Sequence, residues 1–265
     1  MERFRQFLVV GGLPEAVAVW SDGRNVVEVR RVLDSLQQAY AEDLLKYGTR
    51  SGIRYLETVL ANAPAFFGAR FKLRNLGPGD PDASLRHALE LLERAMVLHR
   101  AVPTAAHSLP LIARSRAARK LLPLDIGLAL SQLAVRPEHL SGRAVESLFD
   151  GRIAEAFVGI QLLAAHPEQP RSLAFWTREG HAQSNAEVDY VVPTTAGVRP
   201  VEVKSGAAGS LKSLHSFLAQ ADTDEGIRLL AATGGVEDLE VAVAGAQSLR
   251  YRLRSLPLYL AEVVQ

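Results

Sequence analysis

The spacing of apolar side chains changes character along this chain, and that change limits what it can fold into. From Val26 to Tyr47, residues Val29, Val32, Leu33, Leu36, Tyr40, Leu44 and Leu45 recur at three- and four-residue steps, the period of one helix face. In the segments Glu187 to Val192 and Arg199 to Lys204, apolar and charged residues instead tend to alternate, the period of a strand with one buried face. Helices in the first part and strands mixed with helices in the second predict a mixed α/β fold.

Local signals place the individual elements. Phe4, Phe7 and Leu8 mark a short opening helix, broken by the turn residues Gly11-Gly12-Leu13-Pro14. The long helix from Val26 is expected to stop at Gly48, and a second runs from Ile53 to Ala63 before Pro64. Asp82 or Ser84 caps a third, Leu85 to Met96. Two short apolar stretches, Val97 to Val102 and Leu109 to Ala113, then flank Pro103 to Ser108. Helices followed by such a hairpin predict a winged-helix arrangement, with Arg86, His87, Glu90, Glu93 and Arg94 on the outward face of the recognition helix. That set is mixed in charge, which favours a protein-facing role over groove reading. The second part reads as a helix from Glu146 to Leu163, strands at 173–176, 187–192 and 199–204, a helix over 209–219 and a strand over 227–232. The apolar tail Leu256 to Val264 docks on the core. The expected boundary lies near residue 118, with a helical, winged-helix-like domain over 1–118 and an α/β domain over 119–265.

Composition excludes several functions. Cys is absent, which removes disulfides, thiolate metal sites and Cys nucleophiles. The seven His residues show no zinc-ligand spacing. No stretch approaches the roughly 20 apolar residues of a membrane helix, and the start lacks the features of a signal peptide, so the expected compartment is the cytoplasm. Net charge is only +1, yet Arg94, Arg100, Arg114, Arg116, Arg119 and Lys120 fall in a stretch without Asp or Glu. Arg114, Arg116, Arg119 and Lys120 are the candidate phosphate-facing residues; the alternative is a solvated face balanced by acids from elsewhere.

The chemistry concentrates at Glu187-Val188-Asp189-Tyr190 and Val201-Glu202-Val203-Lys204, joined by a turn. Residues two apart share a strand face, so Glu202 and Lys204 project together, as do Glu187 and Asp189. Hairpin pairing can bring Asp189 near Glu202. Carboxylates beside an ammonium suit Mg²⁺ or Mn²⁺ and a phosphodiester: Asp189 and Glu202 would hold the metal, Lys204 would assist the water, and Glu155 on the preceding helix would support the site. The competing reading is a half-exposed strand pair whose acids and Lys204 satisfy one another.

The Asp…Glu-x-Lys pattern after a helix bearing Glu155 resembles the PD-(D/E)xK nuclease-like fold. More narrowly, the chain resembles the C-terminal region, called domain of unknown function 4143, of a prokaryotic family of predicted AAA-type ATPases. The resemblance rests on Gly11-Gly12-Leu13-Pro14-Glu15, Tyr40 to Leu44, KLLPLDIG at 120–127, GRIAEAF at 151–157, Phe175-Trp176 and the two strand motifs. It implies a winged-helix segment joined to a PD-(D/E)xK nuclease-like domain over 119–265. The P-loop signature that precedes this region in the family does not occur here, so no ATP site is expected in these residues. Two functions are expected from this. One is a metal-dependent nuclease using Asp189, Glu202, Lys204 and Glu155. The other is a non-catalytic module that docks to an ATPase in trans, to a sister subunit or to nucleic acid.

Overall fold

The computed structural model describes residues 2–46, 50–115, 117–135, 151–165, 173–178, 186–206, 209–243 and 248–264. The chain divides into two compact units. One joins Met1–Arg100 to Lys120–Ile160, and the other joins Ala101–Arg119 to Gln161–Gln265. This division crosses the chain three times, unlike the single cut near residue 118 drawn from the sequence.

The first unit is mainly helical: α1 (Glu2–Val10), α2 (Pro14–Gly23), α3 (Val26–Leu45), α4 (Arg50–Asn62), α5 (Leu73–Leu76), α6 (Asp82–Arg94) and α7 (Ile126–Gln132). Gly11-Gly12-Leu13 is a short turn, and Pro14 is the first residue of α2 rather than the end of structure. Proline fits there because the first turn of a helix leaves its N–H groups without intrahelical acceptors. Asn25 caps α3, its side-chain oxygen accepting from Val27 N at 3.0 Å. Val10, Ala16, Val29, Leu33 and Leu128 form a buried cluster on which Trp20 and Tyr40 pack, so Trp20 is a packing residue. The expected helix end at Gly48 lies outside the described residues.

Leu98–Thr104 forms β2 and Arg119–Pro123 forms β3; the short β1 (Arg70–Phe71) also belongs to the first unit. The expected wing does not form. Leu109 to Ala113 contributes only an isolated bridge between Ala113 and Thr104, and Ala101 to Thr104 pair instead, in parallel, with Leu173 to Trp176. Pro110 has no N–H to give a ladder, and Ile112 is 71% exposed, so this stretch gains little by joining a sheet.

The second unit is built on a mixed sheet. Its strands are the end of β2, then β4 (Leu173–Thr177), β5 (Glu187–Thr194), β6 (Gly197–Lys204), β7 (Glu225–Leu230), β8 (Gly235–Val241) and β9 (Leu249–Pro257), in the spatial order β2-β4-β5-β6-β7-β9-β8. The β4–β5, β5–β6 and β8–β9 pairs are antiparallel; β6–β7 and β7–β9 are parallel. Two further helices are α8 (Arg152–Ala164), most of which lies in the first unit, and α9 (Lys212–Leu218). The expected start of α8 at Glu146 lies outside the described residues. Leu214, Phe217 and Leu218 of α9 pack on Trp176, Val188, Val191, Val198, Tyr251 and Leu253. The tail forms a 3-10 segment, Leu258–Val264, with Leu258, Ala261 and Val264 buried, in line with the docking expected of it. Among the described residues no helix is long and apolar enough to cross a membrane.

Two histidines sit in this second core. His107 lies against Trp176 and Phe217, with ring centroids 5.3 and 5.2 Å away, and its buried Nε2 has no hydrogen-bond partner among the described residues. His215 Nε2 lies 2.9 Å from Tyr251 Oη. Burial lowers the pKa of both rings below the ordinary 6.5. A lowered folded pKa means the unfolded chain binds more protons in that window. Their contribution is therefore whole above pH 6.5 and is lost as pH falls from there toward the folded values. Urea midpoints measured from pH 7.5 to 5.5 are expected to fall, and His107→Phe is expected to flatten that decline.

Candidate metal centre

The candidate centre lies where β4, β5 and β6 run side by side. Trp176 pairs with Val188 and Ala174 with Val191, so β5 spends three residues where β4 spends two. This β-bulge contains Asp189. A bulge twists its strand and re-aims a side chain, and bulges are common next to active sites. On the other edge, the β5–β6 ladder runs from Thr194–Gly197 to Tyr190–Val201, and Asp189 stands one step beyond it. There its Oδ2 accepts the backbone N–H of Val203 at 2.8 Å, which fixes the carboxylate against β6.

Glu187 and Asp189 each present a carboxylate oxygen, and these two atoms lie within 4.8 Å of each other. Two like charges that close repel, and a shared cation relieves the repulsion. Both residues are half-buried, while Val188 and Tyr190 between and beyond them are fully buried. The expected sharing of a face by Glu187 and Asp189 is thus present. Glu202 is directed differently. Its Oε1 accepts from Lys204 Nζ at 2.6 Å, with the Glu202 side chain 7% exposed and that of Lys204 21% exposed. Lys204 also passes close to Gly209, where an added Cβ would lie 2.6 Å from its Cδ. A side chain at 209 would therefore shift the Lys204 side chain.

Glu155 belongs to the first unit, on α8. Its Oε2 accepts from Lys120 Nζ at 2.8 Å, and Lys120 is 1% exposed. This corrects the assignment of Lys120 as a phosphate-facing residue, because a side chain enclosed on all sides cannot reach a nucleic acid. The other members of the basic run differ in exposure, and Arg94 is exposed. Arg114 is half-buried and donates to Thr177 Oγ1 at 3.1 Å, Arg119 is half-buried, and Arg100 is paired with Glu93. Arg116 lies outside the described residues.

Glu187 is not among the ligands expected from the sequence, although the alternation that selects Asp189 selects Glu187 equally. The structural role of Asp125 is likewise absent from those expectations. Asp125 caps α7, its Oδ1 accepting from Leu128 N at 2.9 Å, and its Oδ2 accepts from Gly12 N at 2.7 Å. Two of the family-like motifs, Gly11 to Glu15 and KLLPLDIG, are therefore the two halves of one joint in the first unit.

Comparison with known proteins gives two family matches. The model described as Domain of unknown function (DUF8612) matches residues 1–139, and Domain of unknown function (DUF4143) matches residues 150–243. The expected likeness to domain 4143 thus holds for the part carrying the strand motifs, while the motifs before residue 139 fall in the other match. No curated protein and no solved structure matches the chain. Because the first match takes in more than half of the 265 residues, the chain belongs to the DUF8612 family, and its residues 150–243 are similar to DUF4143.

Proposed function

We propose that the second unit carries a divalent-cation site of the PD-(D/E)xK nuclease type that acts on a nucleic-acid phosphodiester. The observation that carries this reading is the approach of the Glu187 and Asp189 carboxylates to within 4.8 Å, beside the strand that ends in Lys204. Carboxylate oxygens are the donors that Mg²⁺ and Mn²⁺ prefer, so the residues fit such an ion. When bound, it supplies Lewis-acid activation of a water and neutralises charge on the phosphate. Asp189, held by the Val203 amide, gives one ligand in a fixed direction. Glu202 holds the Lys204 ammonium, which in this reading donates to a phosphate oxygen as negative charge develops there.

Mn²⁺ titrated calorimetrically is expected to bind the wild type and to bind Asp189→Asn at least about tenfold more weakly, the loss of one charged ligand. Glu187→Gln and Glu155→Gln are titrated alongside, which assigns each acid directly. Lys204→Ala is expected to abolish cleavage of duplex or single-stranded nucleic acid while leaving Mn²⁺ affinity within about threefold of wild type. Equal cleavage by wild type and Lys204→Ala would sink the proposal.

One observation favours a second reading. Glu202 and Lys204 are 2.6 Å apart, and Asp189 already accepts a backbone amide, as in a polar network that satisfies itself. In that reading the unit is a non-catalytic docking module for an ATPase in trans, a sister subunit or nucleic acid. It predicts no Mn²⁺ binding, and a stability loss in Lys204→Ala from exposing the Glu202 carboxylate to an apolar surrounding without its ammonium.

A further inference from the structure

We propose that the first unit binds a small organic cation with an apolar body, in a cavity walled by α3, α4 and α7. This inference is independent of the metal-site reading. The cavity measures about 300 Å³, and Leu44, Leu56, Val97 and Leu128 form its buried floor. Water against that apolar floor finds no hydrogen-bonding side chain in Leu44, Leu56, Val97 or Leu128, while the polar lining residues Gln37, Gln38, Tyr40, Glu42, Glu57 and Gln132 complete the wall. An apolar group that displaces water from the floor gains the hydrophobic term for the surface it covers.

The rim selects the charge of the ligand. Glu42 on α3 and Glu57 on α4, both exposed, line the cavity from two different helices. Gln38 Nε2 donates to Glu42 Oε1 at 2.8 Å, which orients that carboxylate. Among the described residues that line the cavity there is no Lys or Arg. An acid rim without a cation favours a protonated amine, repels a carboxylate or phosphate, and gives a neutral molecule no ionic contribution. A hydrocarbon chain ending in an ammonium matches both parts.

The test uses the full chain with n-octylamine, n-octanoate and octan-1-ol, each below its aggregation concentration at pH 7. Calorimetric titration is expected to give saturable one-to-one binding of octylamine. Octanoate is expected to bind at least about tenfold more weakly, and Glu42→Gln with Glu57→Gln to bring octylamine down to the level of octanol. Ala61→Trp on α4 and Ala41→Phe on α3 fill the space from opposite helices and are expected to remove binding. Urea midpoints taken for both show which of them folds, so either one suffices. The proposal is overturned by absence of saturable octylamine binding, by octanoate binding as tightly, or by octylamine binding that survives in a folded filling variant. It is equally overturned by a basic amphipathic peptide binding where octylamine does not.

Discussion

Asp125→Ala is expected to destabilise the protein by about 3–5 kcal/mol, read as a shift in the urea midpoint. The Asp125 carboxylate receives Gly12 N–H at 2.7 Å and Leu128 N–H at 2.9 Å, and it is buried. Alanine leaves both N–H groups facing a protein interior, and each lost bond to a charged acceptor is worth about 1.5–3 kcal/mol. The site is built so closely that it tolerates no additions either. A Cβ on Gly11, whose φ is +77°, would lie 2.1 Å from Asp125 Oδ1, and one on Gly127 would lie 2.6 Å from the backbone of Val10 and Gly11. Backbone cannot step aside as a flexible side chain can, so Gly127→Ala belongs to the same damaging class. Asp125→Asn separates charge from hydrogen bonding. Its oxygen can keep one N–H, but its NH₂ group would meet the other donor, which places its cost at about 1–3 kcal/mol, between alanine and wild type.

The same residue fixes a pH dependence. Burial raises the Asp125 pKa above the ordinary 3.8, and the four backbone N–H groups around it pull against that rise without cancelling it. The folded state then binds the proton more tightly than the unfolded one. The contribution of Asp125 is accordingly whole below pH 3.8 and declines as pH climbs through the raised value. The histidine contribution has the opposite slope, falling as pH drops below 6.5 where that of Asp125 falls as pH rises above 3.8, so removing Asp125 and removing His107 should change the slope of the acid side of the stability profile in opposite directions.

The sequence was informative where one element's period decided the outcome. The spacing Val29, Val32, Leu33, Leu36 predicts α3, and the alternation around Asp189 and Glu202 predicts β5 and β6; Asp189, expected near Glu202, accepts the backbone N–H of Val203 on β6. Leu249-Arg250-Tyr251-Arg252-Leu253-Arg254 carries the same alternating signal and forms β9, a strand that was legible yet not among those expected. Other features depend on partners distant in sequence. Lys120 looked like part of a basic surface because its neighbours in the chain are basic; its burial follows from Glu155, 35 residues later. The failed wing follows from β2 finding β4 as a parallel neighbour, a pairing across about 70 residues that no local pattern announces. The bulge at Asp189 likewise belongs to the match between β4 and β5, not to either strand alone.

Lys120→Ala is expected to cost about 3–5 kcal/mol, the second large effect. The ammonium sits 2.8 Å from Glu155 Oε2 on a side chain that is 1% exposed, so its removal takes away both a charge partner and a packed hydrocarbon stem. Lys120→Met keeps most of the stem and deletes the charge. Glu155 is 23% exposed and keeps some access to water, so the methionine variant should lose less, about 1–3 kcal/mol. Pairing Lys120→Met with Glu155→Gln removes both charges and is expected to recover at least about half of that loss, since a matched pair of neutral groups escapes the desolvation cost. A double-mutant cycle on urea midpoints measures this coupling. A coupling near zero would mean that Lys120 stabilises through its stem alone. A large one would make this pair the electrostatic tie between β3 and α8, and would explain why a lysine occupies a core position that leucine or methionine could otherwise fill.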